Sequence, residues 1–240
     1  MTRTLTTALA WAADGAAHLR GLMMRMGDDA FAAPSALPGW SRGHVLTHVA
    51  RNADALINLL AWARTGVPTP AYASREQRDA EIEAGSTRSP AVIRDDVIDS
   101  SDRLAKVVRE MPAEAWKARV ENAHGKEVAA TDIPWFRARE TWIHAVDLDV
   151  GASFADLPAP MLTELADDVT SALGRKPECP PVRLVASDLQ REWTLGAEHG
   201  ASTAVCGPAV ELVGWLLGRS RGRVLRPADG RRLPELPRWL

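Results

Sequence analysis

From Leu5 the apolar residues Leu5, Leu9, Ala12, Ala16, Leu19, Met23 and Met26 recur in alternating steps of four and three, which lays one stripe along a bundle-type helix. The turn Leu37-Pro38-Gly39-Trp40 leads to Ser41, an N-cap, after which Val45, Val49, Leu56 and Leu60 mark a second stripe that Gly66, Pro68 and Pro70 end. Ser74-Arg75-Glu76-Gln77 has a capping-box pattern and opens a short helix to about Ala84, where Gly85 is positioned to stop it. A third long helix starts at Ser89-Pro90 and carries Ile93, Val97, Leu104, Val107 and Met111 inward until Pro112. Glu121 to Val128, centred on Gly125, reads as a loop or short hairpin, and a fourth long helix runs from Asp132 or Ile133 to Asp149, closed by Gly151. These long helices predict a four-helix bundle over residues 1–151.

The texture changes after a linker at 152–158. A helix from about Pro160 to Leu173 and a break at Pro177 to Pro181 precede short β-type runs at Val182–Ala186, Trp193–Leu195 and Thr203–Cys206. Gly207-Pro208 then opens an apolar helix, Val210 to Leu217, ended by Gly218. Residues 152–240 are therefore expected to form a small α+β domain, and the whole chain to be α+β but mainly α.

Composition narrows the function classes. With 240 residues, 46% hydrophobic and 25% charged, the chain has the profile of an ordinary globular protein, and no apolar run approaches the roughly 18–20 residues of a membrane span. The net charge of −2, with both signs interleaved, offers no electrostatic argument for nucleic acid or an anionic bilayer. Tryptophans such as Trp40, Trp62, Trp116, Trp135 and Trp142 fall near helix ends or on apolar faces, where core packing is their default role. Two cysteines, Cys179 and Cys206, make neither a disulfide scaffold nor a multi-cysteine zinc cage, and Met1 to Ala10 lacks the apolar core of an export signal, so a cytoplasmic protein is expected. Serine-elbow, P-loop and dinucleotide fingerprints are absent. The expected partners are small molecules, and the pattern assigns no oligomeric state.

The chemistry shows where polar residues occupy apolar positions. On the fourth long helix the inward stripe of Ile133, Phe136, Ile143 and Val150 also passes through Glu140, His144 and Asp147. A buried carboxylate costs several kcal/mol unless it is paired, hydrogen-bonded or metal-bound, so something positive must face it. His44 and His48, four apart on the second helix and bordering the Val45/Val49 stripe, supply candidates. A carboxylate and two imidazoles from two bundle helices make the three-ligand set of a catalytic zinc site with an open fourth position, and spacing leaves either His44 or His48 able to ligate. Asp147, one turn beyond His144, could orient its imidazole. Arg137, one turn before Glu140, could bind a substrate carboxylate. His18, His124 and His199 lack companions at ligand spacing and are expected to be structural or exposed.

At these residues the chain resembles the mycothiol-dependent maleylpyruvate isomerase family, part of the DinB-like group of metal-binding four-helix proteins. The resemblance rests on Gly39-Trp40-Ser41-Arg42-Gly43-His44-Val45-Leu46-Thr47-His48-Val49-Ala50, on Trp62-Ala63-Arg64-Thr65-Gly66 with Glu81-Ile82-Glu83-Ala84-Gly85-Ser86, and on Arg137-Ala138-Arg139-Glu140-Thr141-Trp142-Ile143-His144-Ala145-Val146-Asp147-Leu148. Gly218-Arg219-Ser220 and Pro237-Arg238-Trp239-Leu240 extend it over nearly the whole chain. It implies zinc held by His48, Glu140 and His144, a functional arginine at Arg219, and mycothiol as the thiol cofactor of a maleylpyruvate-to-fumarylpyruvate isomerase. A DinB-like thiol transferase would use the same centre on another electrophile. A zinc-stapled regulatory module, or a buried polar network without metal, would not turn over substrate at all.

Overall fold

The computed structural model describes residues 3–196 and 203–239. Two compact units divide the chain, Arg3–Ala152 and the residues from Ser153 onward.

The first unit is a bundle of α1 (Leu5–Arg25), α2 (Arg42–Thr65), α4 (Pro90–Arg109) and α5 (Ile133–Asp147), with α3 (Arg75–Ser86) laid against α2. Each long helix packs on two others: α1 on α4 and α5, and α2 on the same pair. Ser41 caps α2, its hydroxyl accepting the His44 amide while its own amide donates to His44 Nδ1, and Gly66 ends that helix in the left-handed conformation at φ 73°. The predicted hairpin forms from β1 (Arg119–Glu121) and β2 (Glu127–Ala129), paired antiparallel around Gly125.

Three local readings change in three dimensions. Leu5, Leu9, Ala12 and Ala16 of α1 stay partly exposed, whereas Ala8, Gly15, Leu19, Leu22 and Met23 are buried. The contact face rotates toward small residues because α1 lies close on α5: a Cβ at Gly15 would stand 2.3 Å from Thr141 Oγ1. Gly85 does not stop α3, which continues to Ser86; its missing side chain makes room for Thr47, whose Cγ2 would lie 2.4 Å from a Cβ there. Finally, α5 ends at Asp147, two residues short of the expected end. Asp149 turns left-handed at φ 53°, and the Arg42 guanidinium takes the terminal carbonyls of Leu148 and Asp149 at 2.6 and 2.9 Å.

Among the described residues, two apolar clusters stand out in this unit. One gathers Leu19, Met23, Leu46, Val49, Ile93, Val97 and Leu148; the other gathers Leu56, Leu59, Leu60, Leu104, Val120, Val128 and Ile133. The middle of α5, between Ile133 and Ala145, belongs to neither cluster's buried set and carries the polar residues treated below.

In the second unit, α6 (Ala159–Gly174) and α7 (Ala209–Leu216) pack on each other and on a sheet of β3 (Val182–Ala186), β4 (Arg191–Leu195), β5 (Thr203–Gly207) and β6 (Arg226–Pro227). The strand order is β4-β3-β5-β6, with β3 and β5 parallel and the other pairs antiparallel. Val182, Leu184 and Ala186 are buried while Arg183 is exposed, the alternation of a half-covered strand. β4 begins two residues before its predicted start, and the two-residue β6 carries no periodic signal of its own. Among the described residues no helix is long and apolar enough to cross a membrane. The resulting architecture is α+β and mainly α, a four-helix bundle followed by a small α+β unit.

Candidate metal centre

His48 comes from the first half of α2, and Glu140 and His144 from successive turns of α5, so the two packed helices bring all three to one point. His48 Nε2 lies 2.8 Å and His144 Nε2 3.3 Å from the same oxygen, Glu140 Oε2. Among the described residues this is the group of potential ligands close enough to hold a metal ion, with all three donor atoms within 4.8 Å of one another. Donors on a tetrahedral zinc with bonds of about 2.0–2.2 Å stand about 3.4 Å apart, near the two histidine-to-Glu140 separations. The side chains of His48, His144 and Glu140 are 7, 12 and 24% exposed, sheltered yet reachable. Around them, His144 Nδ1 donates to Asp147 Oδ2 at 2.9 Å, and the fully buried Asp147 carboxylate thereby aims Nε2 at the cluster. The Trp40 ring packs 5.7 Å from that of His48.

Burial and mutual hydrogen bonds shift all three groups. Burial opposes charge on His144, but hydrogen bonds with Asp147 and Glu140 outweigh it and push its pKa up to about 9. Burial dominates at His48 and lowers its pKa. Burial alone would raise Glu140, yet its bonds to His144 and His48 hold its carboxyl well below the usual range. Without an ion, the two Nε2 protons facing Glu140 satisfy the cluster; a divalent cation would take the place of both, and the proton lost by the charged His144 ring makes its binding weaken as pH falls. Two imidazoles, one carboxylate and a carboxylate supporting one imidazole are the donor set zinc uses in catalytic sites, and the residues fit the ion.

The remaining expected site residues fall elsewhere. His44 is engaged in capping α2 and in contacts with Glu83 Oε2 and Ser86 Oγ, both at 3.1 Å. Arg137 is 4% exposed, and its guanidinium donates to Val49 O, Asn52 Oδ1 and Ser101 Oγ at 2.8, 2.9 and 3.1 Å. It ties α5 to α2 and α4 through these three bonds, a structural task beside the substrate-binding one expected of it. Burial lowers its pKa to about 10, so it stays cationic at neutral pH. Arg219, in the second unit, follows Gly218 (φ 71°) beyond the end of α7 and donates through Nη1 to Leu217 O at 2.8 Å. His18 stacks on Trp142 at 4.9 Å, His124 sits in the exposed hairpin turn, and His199 lies outside the described residues.

Sequence reasoning missed Arg78 and Tyr72. Arg78, on α3, reaches His48 Nδ1 with Nη2 at 3.1 Å, and its guanidinium lies 5.7 Å from the Tyr72 ring. Both border a cavity of about 360 Å³ with Arg51, Asp54, Asn58 and Glu81. Tyr72 also borders a smaller one of about 100 Å³ that reaches Glu140. The sole sequence signal was the polar character of α3, which a solvated helix shares.

Fold and cluster together define a four-helix bundle that brings three potential metal donors together between two of its helices. The family model described as the mycothiol maleylpyruvate isomerase N-terminal domain matches residues 12–149, and the chain belongs to that family. Over 100% of both chains it superimposes on a crystal structure of the mycothiol-dependent maleylpyruvate isomerase with TM-score 0.94 and 34% identity, and equally well on a histidine-to-alanine mutant of that enzyme. YfiT from Bacillus subtilis, described as a probable metal-dependent hydrolase with an unusual four-helix bundle topology, matches 60% of this chain and 83% of its own at TM-score 0.51 and 14% identity, a likeness of fold. No curated protein matches the chain.

Proposed function

We propose that the protein is a zinc- and thiol-dependent cis–trans isomerase that converts maleylpyruvate to fumarylpyruvate with mycothiol as its thiol. The observation that carries this reading is the convergence of His48 Nε2 and His144 Nε2 on Glu140 Oε2, in a chain alike over its full length to the mycothiol-dependent enzyme. A zinc ion held by these residues would supply an open coordination position and the positive charge that keeps a thiol deprotonated near neutral pH.

Within this proposal the protein's own groups have distinct tasks. His48, Glu140 and His144 hold the ion, and Asp147 fixes the tautomer in which His144 presents Nε2. Addition of the thiol sulfur to the cis double bond leaves a single bond free to rotate, and expulsion of the same sulfur restores the alkene as trans, returning the thiol unchanged. Negative charge gathers on the substrate's carbonyl oxygen between the two steps. A fixed guanidinium is suited to meet it, and Arg219 is assigned that task by the family resemblance. The free thiols of Cys179 and Cys206 accord with a cytoplasmic setting.

The test is incubation of the zinc-loaded protein with maleylpyruvate, with and without mycothiol, following both isomers. Fumarylpyruvate formed only with thiol present, and thiol recovered unconsumed, is the expected result. Consumption of thiol into a stable conjugate would reassign the protein as a thiol transferase, and no turnover with any thiol would leave a metal-binding module.

A further inference from the structure

The two histidines of the cluster are wired in opposite senses on their outer nitrogens. His144 Nδ1 faces the Asp147 carboxylate, which can only accept, so Nδ1 keeps its proton and Nε2 is the nitrogen that gives up its own to a metal. His48 Nδ1 faces Nη2 of Arg78 at 3.1 Å, and a guanidinium can only donate. His48 Nδ1 must therefore accept, which puts the neutral ring's proton on Nε2, where it donates to Glu140 Oε2 at 2.8 Å. That tautomer suits the metal-free cluster and cannot bind a metal through Nε2.

We propose that Arg78 is a positioning residue that holds His48 in the metal-free tautomer and must leave Nδ1 when the centre loads. The inference rests on the metal reading above. Loading moves the His48 proton to Nδ1, where it would meet the Arg78 N–H donor head on. The guanidinium has somewhere to go: its Nη1 keeps Asp79 Oδ1 at 2.6 Å, and the side chain, 25% exposed, borders the cavity of about 360 Å³. Arg78 thus competes with the ion for His48, and once displaced it turns a cation into the cavity beside the centre.

Two measurements test this without relying on turnover. Nitrogen-15 spectra of histidine-labelled, metal-free protein should show His48 protonated at Nε2 in wild type and shifted toward Nδ1 in Arg78→Ala. Zinc affinity by chelator competition should rise about tenfold in Arg78→Ala, the scale of one charge-assisted hydrogen bond, with Arg78→Lys between the two. Arg51→Ala removes a charge from the same cavity without touching His48 and should change zinc affinity far less. Equal or weaker zinc binding by Arg78→Ala, an equal gain in Arg51→Ala, or His48 protonated at Nδ1 in metal-free wild type overturns the proposal while leaving the metal site intact. Wild type that binds no zinc overturns both.

Discussion

Asp147 determines which face of His144 the cluster receives. Asp147→Asn is expected to weaken zinc binding by about 10- to 100-fold while the fold persists, as measured by chelator competition. His144 also gives the metal-free protein a pH signature. Its pKa is raised from the ordinary 6.5 to about 9, so the stability drawn from its charge is complete below pH 6.5 and disappears as pH climbs through about 9. His48 and Glu140, both shifted downward, titrate below that window. Unfolding midpoints of chelated protein should fall between pH 6.5 and 9, and His144→Gln should flatten the slope; a rising midpoint would contradict the assignment. Arg137→Met should cost about 1–3 kcal/mol in denaturant unfolding, because it strands the acceptors Val49 O and Asn52 Oδ1 inside the bundle.

Glycines set how closely the helices approach. At Gly15 and Gly85 an added methyl would meet Thr141 Oγ1 at 2.3 Å and Thr47 Cγ2 at 2.4 Å. Alanine at either should lower stability by about 1–3 kcal/mol through overpacking. Gly21→Ala is the control: its nearest neighbour is the flexible tip of Arg25 at 3.4 Å, and the expected change is a gain of about 0.4–1 kcal/mol. The same positions show what a sequence can reveal. Helix starts at Ser41, Ser74 and Ser89, and the inward run of Glu140, His144 and Asp147, were legible because caps and periodicity are local properties. Gly85 read as a stop because its true constraint, the Thr47 side chain, lies on another helix. Arg78 stayed hidden for the same reason: its partner His48 is 30 residues away, and α3 carries no strong apolar stripe. Arg137 was placed on the correct face, but only packing shows that its donors are already engaged.

At the scale of the whole molecule, the proposed reaction assigns a task to each unit. Arg219→Ala, in the second unit, should retain zinc and lose turnover by about 10²–10³-fold, the scale of a missing electrostatic stabiliser. Full activity in that variant would remove Arg219 from the mechanism. Beneath every step lies the bundle's capacity to hold an ion between α2 and α5, and metal content measured directly on purified protein tests it. Wild type should carry about one zinc per chain, and His48→Ala and His144→Ala should carry almost none while keeping their helical content. Wild type that stays metal-free after zinc loading, or variants that bind as much as wild type, would contradict the account.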